Sequence, residues 1–102
     1  MKSIALVFIA ACGLVSAGAP EGKTVFEGKC QACHGPKGEG KAAIAKMYKV
    51  EMQHLSSKEV QSKTDAEIKE IITNGKGKMK PVAGLSEKEK DDVIAYVRTL
   101  KE

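Results

Sequence analysis

Two cysteines three residues apart, the second followed at once by a histidine, stand out in Gly28-Lys29-Cys30-Gln31-Ala32-Cys33-His34-Gly35. Thiols and imidazoles bind soft metals, exchange disulfides or anchor a cofactor, and the rest of the chain must choose between these chemistries. A thioredoxin-like redox pair needs a strand–helix–strand setting, and period-2 strand patterns are absent. A zinc site would have to recruit both His34 and His54. Adjacent residues such as Cys33 and His34 point in different directions, however, and the chain has no second Cys-x-x-Cys or His-x-x-x-His pair. Cys-x-x-Cys-His is the attachment pattern for c-type haem. Cysteines at i and i+3 share a helix face, so each can bond one vinyl group of a porphyrin edge while the next residue turns its imidazole under the iron.

The elements around the motif favour that reading. The chain has 102 residues, which makes one domain at most. Its opening stretch reads as a secretory signal peptide: Lys2 is a short positive region, Ile4 to Val15 is almost unbroken apolar, and Val15-Ser16-Ala17 is a small-residue cleavage site. The expected division is a signal peptide over 1–17 and a domain over 18–102. A rival pattern, Ile9-Ala10-Ala11-Cys12, resembles a lipobox, and lipidation at Cys12 would give the sole route to a membrane. It would leave an unusually short leader, so export to the periplasm as a soluble protein is the expectation.

Losing residues 1–17 takes the formal charge from +4 to +3, since Lys2 is the only charged residue removed. It also leaves Phe26, Tyr48 and Tyr96 as the whole aromatic complement, with no Trp. So thin a core calls for a staple or a buried cofactor. A Cys30–Cys33 disulfide would close too small a loop to brace it.

Helical signals run along the remainder. Val25, Phe26, Cys30 and Cys33 step by three and four along one face of a helix over 22–33. A glycine-rich loop follows, then a weaker helical stretch from Ala42 to Lys49. Ser56 with Glu59, Thr64 with Glu67 and Ser86 with Glu89 read as capping boxes. Ile68, Ile71 and Ile72 form a stripe ending at a C-cap glycine, Gly75. Val93, Tyr96, Val97 and Leu100 repeat along the last helix. The expectation is an all-α domain of four or five short helices. Nucleic-acid binding is not expected, since aromatic platforms are absent and the net charge is small.

On these residues the chain resembles a small class I monohaem cytochrome c of the soluble bacterial and algal type. Gly22-x-x-x-Phe26-x-x-x-Cys30 resembles that family's first helix, whose glycine allows the last helix to cross closely. Asp92 to Leu100, "DVIAYVRTL", resembles that last helix, with Val93 and Tyr96 as contact residues. "GKGKM", with a proline just beyond, resembles the methionine loop, although Lys80 intervenes between Met79 and Pro81.

The resemblance implies a cytochrome c-like fold wrapped around one covalently bound haem c. Cys30 and Cys33 would attach it, and His34 and Met79 would be the axial ligands of its iron. Other candidates for the sixth position are Met47, Met52 and His54. Met47 sits near Ile44 on a helix face and reads as a core gap-filler. Met79, flanked by lysines in a glycine-rich loop, has no apolar stripe to join. Tyr48, Thr73 and Asn74 are candidates to bond haem propionates, and Lys76, Lys78 and Lys80 to steer an acidic partner. The expected function is single-electron carriage between redox partner proteins by a monomer that is not an enzyme. The competing reading is a haem sensor or peroxidase-like protein with an open sixth position.

Overall fold

The computed structural model describes residues 18–101. The expected signal segment and Cys12 lie outside them. Among the described residues six helices appear: α1 (Ala19–Lys29), α2 (Gln31–His34), α3 (Ala42–Tyr48), α4 (Lys58–Gln61), α5 (Asp65–Asn74) and α6 (Glu87–Thr99). Among the described residues there is no strand, only an isolated antiparallel bridge between Lys76 and Met79.

The all-α expectation holds, with one more helix than anticipated. The extra helix comes from a break where continuity was expected, since Cys30 leaves ideal helical geometry (φ −118°, ψ −32°) and α2 restarts at Gln31. α1 also starts earlier than expected, with Pro20 and Glu21 in its first turn. Proline lacks the amide hydrogen that a first turn cannot use, and an acid there complements the helix dipole.

Two of the three capping boxes form. In α5, Thr64 Oγ1 accepts from the Glu67 N–H while the Glu67 carboxylate accepts from the Thr64 N–H. Ser86 and Glu89 repeat the pattern at α6. Each such cap stabilises its helix by about 1 kcal/mol. The third expectation is off by one residue. Ser57, not Ser56, caps α4 through the Val60 N–H. Ser56 is diverted because its N–H and hydroxyl both bond His54 Nδ1.

The core forms where α1 crosses α6. A Cβ at Gly22 would lie 1.9 Å from the Asp92 carbonyl oxygen and 2.9 Å from the Val93 Cα, so the two backbones touch there. Only glycine permits that approach. One turn on, Phe26 and Val93 are each 1% exposed. The Phe26 ring meets Tyr96 with centroids 5.3 Å apart and planes tilted by 52°. α5 adds Ile68 and Ile72, and α6 adds Ile94, which the stripe reading did not single out.

Polar ties hold the remaining pieces. Arg98 on α6 donates to the Gln61 and Lys63 carbonyls and to the Asp65 carboxylate. Gln61 Nε2 donates to the Leu55 and Val97 carbonyls, which fastens α4 to the end of α6. Lys69 bridges α5 to Glu87 and Asp91, and Lys90 donates to Thr73 Oγ1. Few apolar side chains are fully buried among the described residues, which is little for a domain of this length.

Candidate functional site

The α1–α6 crossing positions the cysteine–histidine motif. Cys30 is the C-cap of α1, its N–H bonded to the Phe26 carbonyl, so the most buried aromatic sits one turn before the first thiol. The Cys30 and Cys33 thiols are free, the first half-buried against the core and the second exposed. Burial, reinforced by the neighbouring Cys33, pushes the Cys30 thiol up to about 11. A redox-active pair needs a lowered pKa, so a thioredoxin-like role does not fit.

His34 ends α2. Its carbonyl accepts from the Gly40 N–H at 2.6 Å, and the Cys33 carbonyl accepts from the Lys41 N–H at 3.1 Å. The loop 35–41 thereby folds back over the motif and fixes its backbone. Burial holds the imidazole below its ordinary pKa, which keeps the ring neutral, the form that ligates metal. Nδ1 is buried without a hydrogen-bond partner. Such an orphan costs about 1–3 kcal/mol in a finished core. No described residue supplies an acceptor for this nitrogen.

Met79 sits on the second glycine-rich loop. Lys76 and Met79 exchange both backbone hydrogen bonds, making a tight turn over Gly77 and Lys78. Gly75 stands at φ +80°, and a Cβ there would lie 2.6 Å from the Met79 carbonyl oxygen and 3.0 Å from the Pro81 ring. The Val82 N–H then bonds the Ile72 carbonyl, tying the far end of the loop to α5. Met79 is half-buried, while Lys76, Lys78 and Lys80 are exposed around it.

The other sixth-ligand candidates are placed differently. Met47 is 61% exposed, which overturns its reading as a core filler: α3 lies outside the apolar cluster. Met52 packs its stem against Gly40, on the loop that follows His34. His54 Nδ1 accepts the Ser56 N–H at 3.1 Å, so the ring's proton resides on Nε2, the nitrogen that would otherwise be free to ligate. Thr73 and Asn74 are engaged with Lys90 and Glu70, and Tyr48 is exposed at the end of α3. The described residues gather no group of three or more His, Cys, Asp or Glu able to hold a metal, so no zinc cage is assembled.

The donor set fits a covalently attached haem: two free thiols on adjoining turns, a neutral imidazole with a buried orphan nitrogen, and a thioether on a separate loop. Sequence reasoning missed the polar clamps around this site. Asp92, Arg98 and Gln61 bridge elements far apart in the chain, and no periodic pattern marks them.

Comparison with known proteins agrees. The family described as "Cytochrome C oxidase, cbb3-type, subunit III" matches residues 17–97. The chain is 32% identical over 88 residues to Cytochrome c-554(547) of Halothiobacillus neapolitanus, covering 81% of this chain and 97% of that one. Among solved structures it is similar to the KustC0563 c-type cytochrome, with a TM-score of 0.68 at 24% identity, over 79% of this chain and 98% of the other. The last likeness establishes the fold alone.

Proposed function

The chain belongs to the cytochrome c family, and on that footing we propose that it is an exported carrier of single electrons whose haem is held by Cys30, Cys33, His34 and Met79. Family members carry haem c covalently, and that group supplies the iron centre through which electrons pass. The observation that carries the ligand assignment is the arrangement of the two loops. His34 and Met79 ride on separate elements, each pinned by backbone hydrogen bonds. Met52, by contrast, is tied to the loop beside His34, and His54 has its Nδ1 committed to Ser56.

The residues of the chain perform three tasks in this reading. Cys30 and Cys33 fix the group to the end of α1, next to Phe26. His34 offers a neutral imidazole on a backbone that the 35–41 loop immobilises, so the ligand need not move when the charge at the metal changes. Met79 offers a soft, weak donor, which favours the reduced state and raises the potential. If His34 and Met79 both held the iron, no coordination site would be left for a substrate, and the protein would act between redox partner proteins as a monomer rather than as an enzyme. Export follows from the signal pattern over 1–17.

The test is the oxidised absorption spectrum of the exported protein beside a Met79→Ala variant. The wild type is expected to show a weak far-red methionine–iron band and to bind carbon monoxide poorly when reduced, and the variant to lose the band and bind the gas quickly. Persistence of the band in the variant refutes the Met79 assignment. A five-coordinate wild type with rapid carbon monoxide binding favours a sensor or peroxidase-like protein instead.

A further inference from the structure

The start of α1 and the middle of α6 meet at a buried carboxylate. Asp92 is 3% exposed, and its Oδ1 accepts from the backbone N–H of Gly18 at 2.8 Å. Its Oδ2 accepts from Lys88 Nζ at 2.9 Å. Glu21 closes the same corner from α1, since a Cβ at Gly18 would lie 2.0 Å from its Oε1. Lys88 also feels Glu21 across the helix gap and Asp91 along its own helix. Around the Gly18 nitrogen, Asp92 and Glu21 bring two negative charges and Lys88 one positive charge. The corner is one cation short. Gly18 is also the residue that follows the small-residue cleavage pattern Val15-Ser16-Ala17.

We propose that cleavage of the Ala17–Gly18 peptide bond converts this corner into a receptor for the new N-terminal ammonium, which pairs with Asp92 and fastens the start of α1 onto α6. The inference rests on the export reading above. In the step, an export-linked endopeptidase adds water across the peptide bond. The carboxylate departs with the leader, while Gly18 keeps its nitrogen, which takes up a proton. One neutral N–H donor becomes a cation with three donors, against a carboxylate that already holds this nitrogen at 2.8 Å. The new charge supplies the missing cation. A bare ammonium at the positive end of a helix dipole is unfavourable, and the paired carboxylate offsets that. Maturation therefore completes the helix crossing as well as freeing the chain.

The exported, haem-loaded protein tests this. Its intact mass fixes the first residue, and acylation kinetics at pH 8 read the state of the terminal amine. The expected chain begins at Gly18. Its amine is expected to react roughly five-fold more slowly than that of a free peptide, because a carboxylate partner raises its pKa and keeps it protonated. Asp92→Asn is expected to restore peptide-like reactivity, and Glu21→Gln to move it part of the way. Should Asp92→Asn fail to fold, a chain lengthened by one alanine between Ala17 and Gly18, checked by mass, carries the test through faster labelling and a lower Tm. A Gly18 amine that labels at the peptide rate overturns the proposal and leaves the export reading intact, as does an exported chain that begins elsewhere. A chain retained in the cell with its leader attached refutes the export reading itself.

Discussion

The α1–α6 crossing and the two glycine-rich loops are built on different principles. At the crossing, side chains and backbones touch directly: Gly22 meets Asp92 and Val93, and Phe26 packs on Tyr96. In the loops over 35–41 and 75–82, backbone hydrogen bonds set the path, while His34 just before the first and Met79 within the second stay half-buried. The crossing is a finished core. In the proposed reading the loops are a frame for the haem. A small domain of this kind concentrates its own packing energy at one helix pair and leaves the rest of its interior to a cofactor.

Mutations should separate the two regions. The largest expected effect is Gly22→Val, since a branched side chain cannot enter a gap where a single Cβ already lies 1.9 Å from backbone oxygen. A loss above roughly 4 kcal/mol is expected, seen as failure to recover folded, haem-loaded protein. Phe26→Ala should cost about 3–5 kcal/mol in denaturant unfolding, because the ring is fully buried. Gly75→Ala tests the second region, with a non-glycine residue forced to φ +80° against the Met79 carbonyl. It should cost about 1–3 kcal/mol and weaken the far-red band while leaving the haem attached.

Smaller effects sharpen the comparison. The Gly18 N–H, and after it Lys88, hold the Asp92 carboxyl below its usual range. Its folded-state pKa is depressed, so its contribution is fully present above about pH 4 and is lost as the pH falls through the folded value. Asp92→Asn should therefore flatten the acid limb of stability in urea titrations and leave the neutral spectrum unchanged. Lys78→Ala, on an exposed side chain at the tip of the methionine loop, should change stability by less than about 0.5 kcal/mol. A larger change would mean the loop is held by its side chains and not by its backbone.

Much of this was legible in the sequence because it follows from local spacing. The Cys-x-x-Cys-His motif, the Thr64 and Ser86 capping boxes, Gly75 as a helix stop and the Gly22–Val93 approach can all be read from neighbouring residues or from the family likeness. What escaped depends on contacts distant in the chain. The break at Cys30 is invisible to a periodic pattern that continues through it. Ser56 lost its capping role to Ser57 because a histidine two residues earlier captured it. Met47 looked like core by its spacing from Ile44, but among the described residues α3 contributes nothing to the apolar cluster and Met47 stays exposed. Nothing in the helical pattern singles out Asp92 or Arg98, and only the fold brings Gly18, Lys63 and Asp65 to them.

The most direct test is the mass of the purified, exported protein under fully denaturing conditions, with digestion to isolate the peptide that spans residues 30–34. One haem should remain on that peptide after unfolding and acid extraction, with neither Cys30 nor Cys33 open to alkylation. A colourless peptide with two reactive thiols would contradict the account at its root.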